Sequence, residues 1–286
     1  MLKLNIKNKI KWDEHRSGWA YVLDLLSAYQ DQDGILFDGL VDISFAQWYR
    51  DLNRQLQLPY KEDWIGFVHS AVQRCPFLER YSTFENIRTS PEFLKSLETC
   101  KGLFTLSEYA AVSLREKIGR HIDIVTIKHP TETPAIKFNM EKFLHRKQIV
   151  HAGNWLRRMI SFFNLNAPCY EKILLLNPGT LKYLSDEMEY YPGVKLDFQS
   201  VEIKQHVSNM AYDKLLGESI VFLHLCDSNA TNTIIECIVR NTPLLINRIE
   251  PVTEYLGVDY PSTTVPPEKR RLYCRIQRGS AQHTST

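Results

Sequence analysis

Long apolar runs, paired cysteines, a surplus of one charge and the compact nucleotide motifs are all missing from this chain of 286 residues. No run is long enough to span a bilayer, and the amino terminus alternates Lys with Leu and Ile where a secretory signal would carry an unbroken apolar core. Six cysteines (Cys75, Cys100, Cys169, Cys226, Cys237 and Cys274) occur without any C-x-x-C spacing. That excludes a disulfide framework or a zinc site and points to reduced thiols in a cytoplasmic protein. A formal net charge of +2 gives no case for a nucleic-acid partner or an anionic membrane surface. No G-x-G-x-x-G, Walker A, G-x-S-x-G or H-E-x-x-H pattern occurs, so dinucleotide oxidoreductases, P-loop NTPases, serine hydrolases and zinc proteases lose their main support. Asp31-Gln-Asp33 has the letters of a D-x-D metal motif but precedes an apolar run instead of closing one, which makes it a turn.

What is present is a regular alternation of strand and helix patterns. Gly34–Phe37, Trp64–Val68, Gly102–Leu106 and Ile122–Ile127 read as strands, and Gly18–Tyr29 reads as the first helix. Ser90-Pro91 and Ser107 have the grammar of helix starts, with Gly119 as a stop. The run His129-Pro-Thr-Glu-Thr-Pro134 breaks the pattern, and paired prolines in a polar stretch suit a linker. The pattern then resumes with strands at Gln148–Ala152, Lys172–Leu176 and Val194–Phe198, followed by a helix capped by Ser208. The expected organisation is α/β, with two Rossmann-like domains at 1–138 and 139–261 and a disordered basic tail at 262–286. The tail holds Lys269, Arg270, Arg271, Arg275 and Arg278 against Glu268 alone, and the second domain reads as truncated at its carboxyl end.

The most informative stretch is Glu218–Gly257. Ile220–Leu225 is an apolar strand that gives way abruptly to Cys226, Asp227, Ser228, Asn229, Ala230, Thr231 and Asn232. A helix pattern follows (Ile234, Ile235, Ile238, Val239), then Asn241-Thr-Pro and a further strand at Leu244–Ile246. In open parallel sheets ligands bind at the carboxyl ends of strands, and a helix that begins there presents free N–H groups to an anion.

Residues Ser208–Gly257 resemble the carboxyl-terminal domain of the group 1 glycosyl transferases, nucleotide-sugar-dependent enzymes of the GT-B fold. The likeness rests on the strand, the polar loop, the acid in Ile-Ile-Glu236-Cys-Ile, the strand of Asn-Thr-Pro-Leu-Leu-Ile and Glu254-Tyr-Leu-Gly257. It extends more loosely to Gly102–Pro130 and Val150–Arg158. The resemblance implies a nucleotide-diphosphate sugar as donor, a saccharide or lipid-linked molecule as acceptor, and no metal cofactor. It assigns Glu236 to the ribose hydroxyls of the donor, since a carboxylate accepts two hydrogen bonds from a vicinal diol. It assigns Arg157 and Arg158 to the diphosphate, whose negative charge grows as it leaves. Thr231, Asn232 and Thr233 stand at the mouth of the helix, beside Ser228 and Asn229 in the loop.

The family's usual first acid lies eight positions before Glu236, where this chain has Ser228; Asp227 is the neighbouring carboxylate. Asp227 and His69, at the end of a first-half strand, are the candidates for the reacting groups. Each candidate has a plainer reading. Thr233-Ile-Ile-Glu236 fits a capping box, Asp227 and Ser228 fit loop and cap chemistry, and an arginine doublet fits a solvated helix start. A non-catalytic binding or scaffold protein of the same fold is the alternative to an enzyme.

Overall fold

The computed structural model describes residues 2–8, 18–46, 57–73, 75–78, 84–119, 122–176, 180–205 and 207–261. The basic tail expected at 262–286 lies outside them. Among the described residues there are ten strands: β1 (Leu4–Asn8), β2 (Ile35–Asp38), β3 (Trp64–Val68), β4 (Cys100–Thr105), β5 (Asp123–Thr126), β6 (Gln148–Ala152), β7 (Glu171–Leu176), β8 (Glu202–Gln205), β9 (Ser219–Leu223) and β10 (Leu244–Ile246). They form two five-stranded sheets, ordered β1-β2-β3-β4-β5 and β10-β9-β6-β7-β8. Every pairing is parallel. Two α/β halves expected from the alternation are therefore present.

The chain divides into two compact units. The first holds Met1–Thr133 together with Asp227–Glu236 and Ile249–Tyr260; the second holds Pro134–Cys226 and Cys237–Arg248. In the first unit successive residues of each strand serve opposite faces of the sheet. Leu36, Trp64, Val68 and Leu103 pack with Phe45, Phe93 and Leu114 on one face, and Phe37 and Phe67 pack with Trp19 and Leu23 on the other. The helix Glu108–Ile118 starts as expected, with the Ser107 hydroxyl accepting the N–H of Ala110, and it stops at Gly119. In the second unit β6 and β9 are buried at every position, as strands covered on both faces must be. Ile149, Phe162, Leu174 and Phe222 fill one face, while Val150, Ala152, Ile173 and Leu175 fill the other.

One strand expectation is corrected. Val194–Phe198 is irregular chain leading into a short 3₁₀ turn, Phe198–Ser200, and the strand follows at Glu202–Gln205. The strand is an edge, hydrogen-bonded only to β7, so it tolerates Glu202, Lys204 and Gln205. Val194 and Leu196 bury their side chains against the core from a loop, which is why their apolar spacing imitated a strand. The Lys-alternating amino terminus supplies a strand of its own, β1, with Leu4 and Ile6 turned inward.

Topology sets where each unit presents its loops. The first sheet runs in sequence order without reversal. The second starts in its middle at β6, adds β7 and β8 on one side, and then places β9 and β10 on the other. The reversal between β6 and β9 is a topological switch point, the place where open parallel sheets bind ligands.

Candidate functional site

The loop after β6 opens with Gly153 at φ 78°, left-handed backbone that favours glycine. A Cβ at this position would also lie 2.7 Å from the Arg157 guanidinium. The loop is laced to the segment after β9: Arg158 N–H donates to the His224 carbonyl (2.8 Å) and Cys226 N–H donates to the Leu156 carbonyl (2.9 Å). These bonds fix both sides of the switch point within the second unit.

The two arginines of the loop have different surroundings. Arg157 is buried, its Nη1 donates to the Trp155 carbonyl (3.1 Å), and its guanidinium lies against Gly153. Arg158 is half-buried with its side chain 33% exposed. Its guanidinium carbon sits 4.8 Å from the centre of the Tyr191 ring, a cation–π contact. Its Nε faces Oε1 of Glu187 at 3.8 Å, an ion-pair separation too long for a hydrogen bond. No described residue bonds its Nη1 or Nη2. Glu187 is fully buried, and its Oε2 accepts the Ile160 N–H at 3.1 Å. Burial pushes its carboxyl up to about 7, against the pull of that amide and of Arg158.

The polar loop before Glu236 belongs to the first unit. Asp227 is buried, with Oδ2 accepting the Gln73 N–H (2.7 Å) and Oδ1 accepting the Tyr109 hydroxyl (2.9 Å). Burial raises its carboxyl above the ordinary value in spite of these donors. The Ser228 and Thr231 hydroxyls share a hydrogen bond of 2.7 Å. Asn229 is buried as well: Oδ1 accepts the hydroxyls of Thr105 (3.2 Å) and Ser107 (2.8 Å), and Nδ2 donates to the Val68 carbonyl (2.9 Å).

The helix spans Asn232–Arg240, and the Thr231 carbonyl accepts the N–H groups of Ile234 and Ile235. Thr231 is thus the capping residue, and Thr233 lies inside the first turn. The capping-box reading of Thr233 with Glu236 is corrected accordingly. Thr233 and Glu236 are both buried, and Asn232 is half-buried.

His69 follows β3. Its N–H donates to Asp42 Oδ1 (2.8 Å), and its Nε2 lies 2.9 Å from the Gly39 carbonyl. A carbonyl only accepts, so Nε2 carries the hydrogen and Nδ1 is left as an acceptor. Burial pushes the imidazole down to about 4, which keeps it neutral at physiological pH. The edge of Trp19 holds the ring at a centroid distance of 4.7 Å.

The structure therefore brings the His69 segment together with Asp227 and Asn229, through the flanking Val68 and Gln73. It places both arginines in the second unit, Arg157 against Gly153 and Arg158 beside Glu187. Sequence reasoning passed over Glu187, Tyr109, Gln73 and Asn247, because each acts through a partner distant in the chain. Only Glu254 had a signal, in the Glu254-Tyr-Leu-Gly cadence. Its carboxylate accepts the N–H groups of Glu108 (2.9 Å) and Tyr109 (3.1 Å) and pairs with Lys128. Asp31 forms a turn, with Oδ1 accepting the N–H of Asp33 (3.0 Å) and an ion pair to Lys3. Among the described residues no cluster of three or more His, Cys, Asp or Glu side chains is arranged to hold a metal. No helix among them is long and apolar enough to cross a membrane.

No protein-family model matches the chain, and no curated protein matches it by sequence. Solved structures do. Sucrose-phosphate synthase from Thermosynechococcus elongatus superposes with a TM-score of 0.60 at 13% identity, over 92% of this chain and 68% of its own. Anabaena HepE, solved in complex with UDP and glucose, gives 0.57 at 12% identity, over 89% and 83%. TarM gives 0.51 at 13% identity over 81% of this chain, which spans 45% of TarM. The fold is GT-B. This is the architecture that the likeness of Ser208–Gly257 implied, and at these identities it is the GT-B fold itself that is shared. The second GT-B sheet carries its switch point between β6 and β9, where Arg157 and Arg158 stand.

Proposed function

We propose that the chain is a metal-independent glycosyltransferase that takes a sugar from a nucleotide-diphosphate donor and passes it to a saccharide or lipid-linked acceptor. The observation that carries this reading is Arg158. Its guanidinium is held by one edge and one face at a switch point, and neither Nη has a described protein partner. A planar fork in that state suits a phosphate pair. In the reaction the acceptor oxygen bonds to the anomeric carbon as the bond to the diphosphate breaks, and the guanidinium stabilises the charge that collects on the leaving group. By the same reading Glu236 takes the ribose hydroxyls, with Ser228, Asn229, Thr231, Asn232 and Thr233 framing the donor. His69 offers neutral Nδ1 to a hydroxyl. Asp227 is the remaining acid of the reacting group.

The test is release of nucleoside diphosphate from a panel of nucleotide sugars with mixed saccharide and lipid-linked acceptors. HepE, of the same fold, was solved with UDP, so UDP-sugars head the panel. Release that falls sharply in Arg158→Ala is the expected result. A second reading, a sugar- or nucleotide-binding protein without turnover, is favoured by Asp227, both of whose oxygens are already bonded by Gln73 and Tyr109. Saturable binding of UDP or GDP with no release from any donor would select it.

A further inference from the structure

Among the described residues of the second unit, Glu187 is the one carboxylate that is both fully buried and left with an oxygen short of a hydrogen bond. Removing a carboxylate from water costs several kcal/mol before its partners repay any of it. The Ile160 N–H bonds Oε2 and leaves Oε1 without a hydrogen bond. Oε1 faces the Nε edge of Arg158 across 3.8 Å, and the Nε–H also lacks a hydrogen-bond partner. The Tyr191 ring lies under the same guanidinium. Glu187 and Tyr191 both come from the end of the helix Thr180–Tyr190 or the residue after it, so one element supplies both an edge and a face to the arginine. The two contacts divide the guanidinium: the Nε edge and one face are taken, and the two Nη groups have no described protein partner.

We propose that Glu187 is a positioning residue, fixing the Arg158 guanidinium by its Nε edge so that both Nη groups are presented to the diphosphate of a nucleotide ligand. The inference rests on the diphosphate reading of Arg158 given above. It adds that the orientation of the fork is imposed by an acid on a different element. Glu187 touches no substrate in this scheme and acts only through Arg158. Burial lifts its carboxyl, opposed by the Ile160 and Met159 amides and by the Arg158 guanidinium.

The test is a double-mutant cycle in the full-length protein. Affinities for UDP and GDP, and for uridine and guanosine as controls without phosphate, are measured by calorimetry for wild type, Glu187→Gln, Arg158→Ala and the double variant. Glu187→Gln is expected to weaken the better diphosphate about tenfold, to leave nucleoside binding unchanged, and to have no further effect once Arg158 is alanine. If Glu187→Gln does not fold, Glu187→Met, apolar and of similar length, takes its place in the cycle. Loss of diphosphate and nucleoside affinity in equal measure would mark Glu187 as structural and overturn the inference. So would full diphosphate affinity in Glu187→Gln when Arg158→Ala is impaired, which leaves the role of Arg158 standing. Wild type that binds neither diphosphate, or Arg158→Ala that binds them normally, removes the underlying reading and the inference with it.

Discussion

The side chain of Asn247 pairs with the backbone of Leu225 as a neighbouring strand would. Its Oδ1 accepts the Leu225 N–H at 2.7 Å and its Nδ2 donates to the Leu225 carbonyl at 2.9 Å. One amide thus continues the β9–β10 pairing past the end of β10, and it holds the segment against which the Arg157–Arg158 loop is laced. Asn247→Leu keeps the bulk and removes both bonds, leaving two backbone groups of a buried residue unsatisfied. The expected loss of stability is about 2–4 kcal/mol, read as a lower urea midpoint with an unchanged slope.

Asn229 makes a second such tie, in the first unit. Its amide joins the end of β3 (Val68) to the end of β4 and the cap that follows (Thr105, Ser107). Asn229→Ala is expected to cost about 3 kcal/mol. Asn229→Asp separates the two sides of the amide: it still accepts from the hydroxyls but sets a carboxylate oxygen against the Val68 carbonyl. That repulsion raises the carboxyl's folded pKa, so the deficit of Asn229→Asp should grow as pH rises from 4 to 7. Equal deficits at the two pH values would show that the Val68 contact contributes nothing.

These ties explain what was legible in the sequence and what was not. Parallel strands buried on both faces must be continuously apolar, so β6, β7 and β9 stand out, as do helices announced by Ser90, Ser107 and Ser208. Edge strands have no such constraint, and β8 was consequently misplaced while β1 was passed over. The loop before Glu236 was legible because a helix start after a buried strand is a local pattern. The partners of its side chains were not, since Gln73 and Tyr109 are separated from Asp227 by more than a hundred positions. The arginine doublet shows the same limit. Adjacent letters are equivalent in sequence, and only the Gly153 turn and the helix carrying Glu187 make one arginine an internal brace and leave the other with a free fork.

His151 on β6 provides a pH test of the core of the second unit. It is fully buried between Phe162 and Phe222, and burial together with the Arg157 charge pushes its imidazole down to about 3. A folded pKa below the unfolded one means that the unfolded chain binds the extra proton, so stability is lost as pH falls below about 6.5. At pH 5 the loss from this group is about 2 kcal/mol relative to pH 7. His151→Gln retains an N–H for the Gly153 carbonyl, which Nε2 approaches at 3.1 Å, and it does not titrate. Chemical denaturation at the two pH values should show a smaller acid-induced loss in His151→Gln than in wild type. An identical loss would mean that His151 is not neutral in the folded protein.

Arg157 and Arg158 invite opposite outcomes from the same conservative change. Arg158→Lys preserves the positive charge that faces Glu187 but gives up the planar fork, so the fold should be little affected while a diphosphate loses its paired contact. The expected result is a thermal midpoint within about two degrees of wild type and UDP or GDP affinity reduced about tenfold, since a hydrogen bond to a charged group is worth about 1.5–3 kcal/mol. In Arg157→Lys the guanidinium that packs on Gly153 and donates to the Trp155 carbonyl disappears from a buried position. Stability should fall by about 1–2 kcal/mol, with any loss of affinity following from the looser loop. Unfolding and ligand titration on the two proteins separate the roles directly. If Arg157→Lys abolished binding with its stability intact, the diphosphate contact would belong to Arg157 and the assignment of the fork to Arg158 would be wrong.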